Sequence, residues 1–228
     1  MAALEAVIFD VDGTLVDSER DGHRVAFNIA FEEAGLPDWW DVTTYGRLLR
    51  VTGGARRLAV WFAGNGASRD EARALGRRLH RRKTEIMRGL VEDGQIQARP
   101  GVKRLIEELH ANGVSLHVAT TGTRAWVEPL LDRVFGDRFQ TVVTGTEVPD
   151  LKPSPAVYQR VLDLAGLTPE VTVAVEDSGN GVRAAVAAGL RCLAASNLYT
   201  RDDDLSGATL ITDGLDNPAF VAWFHQRI

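Results

Sequence analysis

Two aspartates, Asp10 and Asp12, close an apolar run in Ala6-Val7-Ile8-Phe9-Asp10-Val11-Asp12-Gly13-Thr14-Leu15. Ala6 to Phe9 has the length and apolar character of a buried strand, and Gly13 marks the turn that ends it. Asp10 then falls at the carboxyl edge of that strand, where open α/β sheets bind their ligands. Alternation along an extended segment puts Asp10 and Asp12 on one side, with Val11 turned away. Carboxylates that close repel unless a cation or a proton lies between them. Gly13 lets the backbone approach a ligand, and Thr14 adds a hydroxyl. A capping aspartate followed by a turn aspartate would read the same way, so the rest of the chain has to decide between structure and chemistry.

Three further segments bear on that choice. Val118-Ala119-Thr120-Thr121-Gly122 ends another apolar run in hydroxyls, and Thr120, Thr121 and the loop amides suit a phosphoryl oxygen. Lys152, in Leu151-Lys152-Pro153-Ser154-Pro155, is one of three lysines in a chain that otherwise uses arginine. A compact ammonium before a proline turn points to a wanted point charge, for a phosphate or for nearby carboxylates. Val173-Ala174-Val175-Glu176-Asp177-Ser178-Gly179 puts two acids at a third strand end. Asp177 could cap the following helix. Grouped instead with Asp10, it makes an oxygen-rich, histidine-free site suited to Mg²⁺.

The elements that must position these residues alternate. Apolar runs at 115–119, 141–144, 171–175, 192–195 and 209–211 read as strands, and helical patterns fall at 102–111, 125–134, 156–165, 181–188 and 218–226. The expected fold class is α/β, a doubly wound, mainly parallel sheet with helices on both faces. Residues 18–95 interrupt it with helical patterns broken near Gly35-Leu36-Pro37 and Gly64-Asn65-Gly66. They read as an inserted helical cap domain, leaving residues 1–17 and 96–228 as the core. From Arg47 to Arg88 the insertion carries twelve basic and three acidic residues, a surplus that could draw in a phosphate. Most of the 69–83 stretch, Lys83 included, reads as a solvated helix face. Arg56 and Arg57 stand apart because they follow Thr52-Gly53-Gly54, a turn able to offer backbone N–H groups beside fork donors.

Composition removes other classes. At 228 residues, 45% hydrophobic and a net charge of −5, the chain can bury a substantial core and lacks a generally nucleic-acid-binding surface. It shows no apolar stretch long enough for a membrane span and no basic-then-apolar leader. The single Cys192 excludes an internal disulfide and a cysteine metal cluster, and reads as a small core residue. A cytoplasmic monomer with a small-molecule substrate is the expectation, with neither nucleic acid nor membrane as a partner.

In this order, Asp-x-Asp-Gly-Thr-Leu, the strand-end threonine, Lys-Pro and the Glu-Asp strand end resemble the haloacid dehalogenase superfamily across nearly the whole chain. The resemblance implies a Rossmann-like core and a phosphatase working through an aspartyl-phosphate. Asp10 would be the nucleophile, Asp12 the acid and base, and Thr120 and Lys152 the phosphoryl ligands. Mg²⁺ would lie on Asp10, the Asp12 carbonyl and Asp177, with Glu176 adjacent. The phosphoryl chemistry also separates the branches, since dehalogenases lack a carboxylate at the place of Asp12. Glu19-x-x-x-His23, Trp40-Asp41-Val42-x-x-Tyr45, Thr52-Gly53-Gly54 and Leu198-Tyr199-Thr200-Arg201 are similar to the CbbY-like sugar bisphosphate phosphatases found with Calvin-cycle genes. Those remove the 1-phosphate of xylulose 1,5-bisphosphate to give xylulose 5-phosphate, and the likeness assigns Glu19, His23, Tyr45, Thr52, Gly53 and Gly54 to the substrate. Ala55 departs from the lysine that commonly follows this turn. If that lysine anchors a second phosphate, Arg56 or Arg57 must replace it, and arginine is not an equivalent point charge. A phosphosugar mutase of the β-phosphoglucomutase type and a non-catalytic Mg²⁺ and phosphometabolite binder are the alternatives.

Overall fold

A short apolar strand that feeds a turn needs neighbours on both sides, and the chain supplies them. The computed structural model describes residues 3–51 and 53–228. Its strands are Ala6–Phe9 (β1), Ser115–Ala119 (β2), Thr141–Val143 (β3), Thr172–Glu176 (β4), Arg191–Ala195 (β5) and Leu210–Thr212 (β6). They form one parallel sheet in the order β3-β2-β1-β4-β5-β6. β1 is fully buried along its length, which explains its unbroken apolar sequence. The strand order reverses beside β1, so its carboxyl end opens into the crevice that doubly wound sheets use for ligands.

The core unit runs through Asp17 and resumes at Gln97, continuing to Ile228. Its helices are Val102–Ala111, Arg124–Phe135, Ala156–Ala165, Gly179–Ala187 and Pro218–His225, which become α5 to α9 once the four helices below are numbered. Val157, Tyr158 and Val161 of the helix after β3, and Val182 and Ala185 of the helix after β4, pack on Ile8, Ala174 and Cys192. The Cys192 thiol is buried and its pKa pushed up by that burial, as a core residue requires.

The second unit, Ser18–Ile96, contains a π-helical turn at Glu19–His23 followed by Arg24–Glu33 (α1), Val42–Leu48 (α2), Gly54–Gly64 (α3) and Arg69–Glu92 (α4). Aromatic packing holds it together. Trp40 is fully buried, with its ring centroid 4.8 Å from Phe27 and 5.0 Å from Phe31. The buried Asn28 side chain pins the intervening loop, donating to the Trp40 carbonyl at 2.9 Å and accepting from its N–H at 2.8 Å. A capping box starts α4, in which the Ser68 hydroxyl accepts from the Glu71 N–H and the Glu71 carboxylate accepts from that of Ser68. Among the described residues no helix is long and apolar enough to cross a membrane.

Most element boundaries lie within a residue of the sequence expectation; β4 runs from Thr172 to Glu176, and α8 begins two residues early, at Gly179 rather than Gly181. Gly-Asn-Gly has weak helix propensity and hid the start, which Ser178 sets by accepting from the Gly181 N–H at 3.2 Å.

One core residue is out of character. His117, on β2, is 2% exposed, and both its ring nitrogens lack a hydrogen-bond partner among the described residues. Burial depresses its pKa from 6.5 to about 4, so the unfolded chain binds a proton there that the folded chain refuses. Stability should therefore drop as pH falls through this window, by up to about 1.4 kcal/mol per pH unit from this group alone. Urea unfolding of the wild type and His117→Leu between pH 7 and pH 4 checks it. The expected result is a shallower pH dependence in the variant, and identical slopes would remove His117 as the cause.

Candidate active site

The chain leaves β1 at Phe9 and turns at once. The Val11 carbonyl accepts from the N–H groups of Thr14 (3.3 Å), Leu15 (3.0 Å) and Val16 (3.2 Å). One carbonyl thus gathers three donors, and a tight turn closes directly behind Asp12. Asp10 is 6% exposed, Asp12 is half-buried, and the charge of Asp12 still acts on Asp10.

Lys152 ties the site together. Its ammonium donates to Asp10 Oδ1 at 2.6 Å, to Glu176 Oε1 at 2.6 Å and to the Ala119 carbonyl at 2.8 Å. All three N–H groups are thereby used, on the ends of β1, β2 and β4. Glu176 is fully buried and held on both oxygens. Oε1 also accepts from the Tyr158 hydroxyl at 2.6 Å, and Oε2 accepts from the Asp177 N–H at 3.2 Å. Asp177 does not cap the next helix, since Ser178 does, and its Oδ2 accepts instead from Asn197 Nδ2 at 2.7 Å.

The electrostatics are unbalanced. One carboxylate oxygen from each of Asp10, Glu176 and Asp177 lies within 4.8 Å of the others. The Asp10 carboxyl is pushed up to about 8, first by burial, which Lys152 opposes and the charges of Glu176 and Asp12 reinforce. Burial likewise drives Asp177 well above the usual carboxylate range, reinforced by Asp10 and Glu176 and opposed by Arg99 and Lys152. Lys152 is held above its ordinary value because the attraction of Asp10 and Glu176 outweighs the cost of its burial. Such a set of hard oxygen donors, with more negative charge than its lysine offsets, fits a divalent cation of the Mg²⁺ type.

Thr120 sits at the end of β2, fully buried, and its hydroxyl accepts from the Gly122 N–H at 2.9 Å. Thr121 is partly exposed beside it.

The helical unit gathers its own polar cluster. The Tyr45 hydroxyl donates to Glu19 in a very short contact and accepts from Arg57 Nη1 at 3.1 Å. Arg57 is 7% exposed and also donates to the Leu48 carbonyl at 3.1 Å, whereas Arg56 is exposed. Gly53 has φ +89°, in the left-handed region, and a Cβ on Gly54 would meet the His80 ring at 2.5 Å, so the Gly-Gly pair is sterically required. Thr52 lies outside the described residues. The solvated-face reading holds for Arg69, Arg73, Arg77, Arg78, Arg81 and Arg82, all exposed, but fails for Lys83. Lys83 is buried, with Nζ 2.7 Å from His23 Nδ1 and 4.9 Å from the Phe27 ring centroid. Its stem lies on the inward side of α4 with Leu79 and Met87, at helical spacing from them. His80 is kept largely neutral nearby, its pKa lowered to about 4 by burial and by the charges of Lys83, His23 and Arg57.

Sequence reasoning passed over Lys83, Tyr158, Arg99 and Asn197. Scarcity of lysine, which singled out Lys152, applied equally to Lys83. Tyr158 has no such signal, because it reads as one more apolar position of its helix.

A doubly wound sheet with a buried lysine among carboxylates at its carboxyl edge is an α/β fold with an acidic crevice at the point where its strand order reverses. A family model described as haloacid dehalogenase-like hydrolase matches residues 4–189, and the chain belongs to that family, in its CbbY-like branch. CbbY of Rhodobacter capsulatus is 42% identical over 209 residues, covering 90% of this chain and 91% of that protein. The crystal structure of CbbY from Rhodobacter sphaeroides with phosphate matches at TM-score 0.82 and 37% identity, over 96% of this chain and 99% of that one. A mutant of the same protein, solved with xylulose 1,5-bisphosphate, matches at 0.81 and 37%, over 94% and 96%. The chain is therefore a phosphatase of this hydrolase family.

Removing the ammonium would leave Asp10 and Glu176 buried without their partner. Lys152→Met is expected to destabilise the metal-free protein by about 3–5 kcal/mol. Urea unfolding in EDTA reads this, and an unchanged midpoint would show that the ammonium does not bind these acids.

Proposed function

We propose that the protein is a Mg²⁺-dependent phosphosugar phosphatase working through an aspartyl-phosphate, with xylulose 1,5-bisphosphate as its substrate and the 1-phosphate as the group removed. The observation that carries the reaction type is the Asp10–Lys152–Glu176 node beside Asp177. Support for the substrate comes from the likeness to CbbY, solved with that bisphosphate.

In this reading Lys152 fixes Asp10 Oδ1, which leaves Oδ2 to attack phosphorus in line. The Thr120 oxygen already accepts from Gly122, so its own proton is available to a phosphoryl oxygen, and Thr121 and the loop amides add donors. Asp10, Asp177 and the Asp12 carbonyl would hold Mg²⁺, which supplies charge neutralisation that lets a carboxylate approach a phosphate. Glu176 serves as the anchor of Lys152, because protein donors engage both its oxygens. Asp12 gives a proton to the departing sugar oxygen, then takes one from the water that cleaves the aspartyl-phosphate. Hydrolysis of phosphate monoesters needs about 20 kcal/mol of barrier lowering or more, which positioning, proton transfer and charge neutralisation must share.

Within the helical unit Arg57, rather than Arg56, is the residue we assign to the second phosphate, because it is buried and oriented by Tyr45 and Leu48. With Ala55 in place of a lysine, Lys83 is the remaining lysine of this unit and adds positive charge beside His23. Glu19, His23, Tyr45, Gly53 and Gly54 are assigned to the sugar. A cytoplasmic setting and a role beside the Calvin cycle belong to the same proposal.

Phosphate release with Mg²⁺ should favour xylulose 1,5-bisphosphate over ribulose 1,5-bisphosphate, fructose 1,6-bisphosphate and phosphoglycolate by about a hundredfold in kcat/KM. Flat activity across the panel would discard this substrate, and an isomerised phosphosugar without free phosphate would identify a mutase. Asp10→Asn is expected to lower kcat at least about a thousandfold. Turnover at the wild-type rate would refute the nucleophile assignment. Arg57→Ala should raise KM for a bisphosphate about 10- to 100-fold, and much less for a monophosphate. Equal effects on both would take Arg57 out of the second-phosphate site.

A further inference from the structure

Gly13 follows Asp12 in a place where nothing larger fits. Its φ is +84°, and a Cβ would come within 2.3 Å of Asp177 Oδ2 and 2.6 Å of Asn197 Nδ2. The catalytic turn therefore lies directly against Asp177, and two side chains from distant parts of the core unit meet on its carbonyl. Asn197 Nδ2 donates to the Gly13 carbonyl at 3.1 Å and to Asp177 Oδ2 at 2.7 Å. Arg99 Nη1 donates to the same Gly13 carbonyl in a very short contact.

Each of the two is itself held. Asn197 Oδ1 accepts from the Tyr199 N–H at 2.8 Å, which turns its amide nitrogen toward Asp177, and its own N–H donates to Thr200 Oγ1 at 3.0 Å. Arg99 spreads its planar fork over the end of β5, donating from Nη1 to the Ala195 carbonyl at 3.1 Å and from Nη2 to the Ser196 carbonyl at 2.9 Å. Its backbone N–H donates to the Leu15 carbonyl at 3.0 Å. One guanidinium thus fastens the turn after β1 to the end of β5. β4, which carries Asp177, lies between those two strands.

We propose that Arg99 and Asn197 are positioning residues for the divalent cation, clamping the Gly13 carbonyl and fixing Asp177 Oδ2. The peptide before Gly13 carries the Asp12 carbonyl, and its N–H donates to the Val16 carbonyl at 2.8 Å, so the peptides on both sides of Gly13 are held. With Oδ2 engaged by Asn197, Oδ1 is the oxygen left as ligand, contacted by Thr14 Oγ1 at a long 3.4 Å. Hydrogen bonds to ligating carboxylates and carbonyls fix their orientation, and losing them weakens metal binding. The proposal rests on Asp177 being a cation ligand, and its test separates the two ideas.

The experiment is calorimetric titration of MgCl₂ alone into the full-length protein, with melting of the metal-free protein in parallel. Asn197→Ala and Arg99→Met are each expected to weaken Mg²⁺ binding about 10- to 100-fold. Because both donors share one carbonyl, the double variant should lose less than the product of the single losses. Saturating Mg²⁺ should restore most of kcat for Asn197→Ala with substrate KM unchanged. A variant that melts earlier but binds Mg²⁺ as the wild type does has only a structural role, and that overturns the proposal. Asp177→Asn is the control. If it too binds Mg²⁺ normally, the cation-site reading itself falls; if it alone loses Mg²⁺, the clamp falls and the site stands. Should Arg99→Met fail to fold, the half-buried Asn197 decides the matter.

Discussion

A single buried ammonium holds the site together. Lys152 satisfies each of its N–H groups on the end of a different strand, reaching Asp10 after β1, the Ala119 carbonyl at the end of β2 and Glu176 at the end of β4. Two carboxylates at 0% and 6% exposure would be very costly in apolar surroundings without it. Only a compact point charge can lie equidistant from two acids and a carbonyl, and a planar guanidinium would need a wider cleft. Tyr158 completes the arrangement from α7, placing a hydroxyl on Glu176 and its ring 5.0 Å below the ammonium.

The rest of the site follows from what this lysine leaves uncompensated. Asp177 lies within reach of the same cluster and is driven toward its neutral form by burial and by its neighbours. Close packing makes the effect stronger. A Cβ on Gly181 would fall 2.0 Å from the Glu176 carboxylate, and one on Gly13 would strike Asp177, so a glycine in the turn after β1 and another in the first turn of α8 let the acids crowd together. A divalent cation held there would relieve that crowding and would supply the positive field a phosphate dianion needs.

The helical unit solves a different problem with the same physics. Its buried cations lie against aromatic rings, with Lys83 over Phe27 and Arg57 over Tyr45. Glu19 is the acid that joins this network, through Tyr45. Buried charge is screened less than charge in water, whereas the exposed arginines of α4 are solvated, and Arg82 pairs at the surface with Glu33 at 2.6 Å.

Periodicity made the sheet legible, because a buried parallel strand has to be apolar throughout and the runs at 6–9 and 115–119 coincide with β1 and β2. It also made Asp10, Thr120, Glu176 and Asp177 legible as strand-end residues, since polar groups directly after such runs must share one sheet edge, whereas Lys152 stood out by the scarcity of lysine and the proline beside it. Lys83 escaped notice because a lysine among arginines looks solvated until the helix is rotated into place, and Tyr158 because its hydroxyl gains meaning only when α7 is packed so that it reaches Glu176. The sequence by itself determined the strands, their alternation with helices and the chemical types at the carboxyl edge, all consequences of local pattern. Tertiary structure alone decided that Ser178 rather than Asp177 caps α8 and that Arg57 rather than Arg56 is buried. It also decided that residues as far apart as Gly13, Arg99 and Asn197 meet on one carbonyl. Those choices depend on which side chains reach each other once the elements have packed, and distance along the chain carries no information about that.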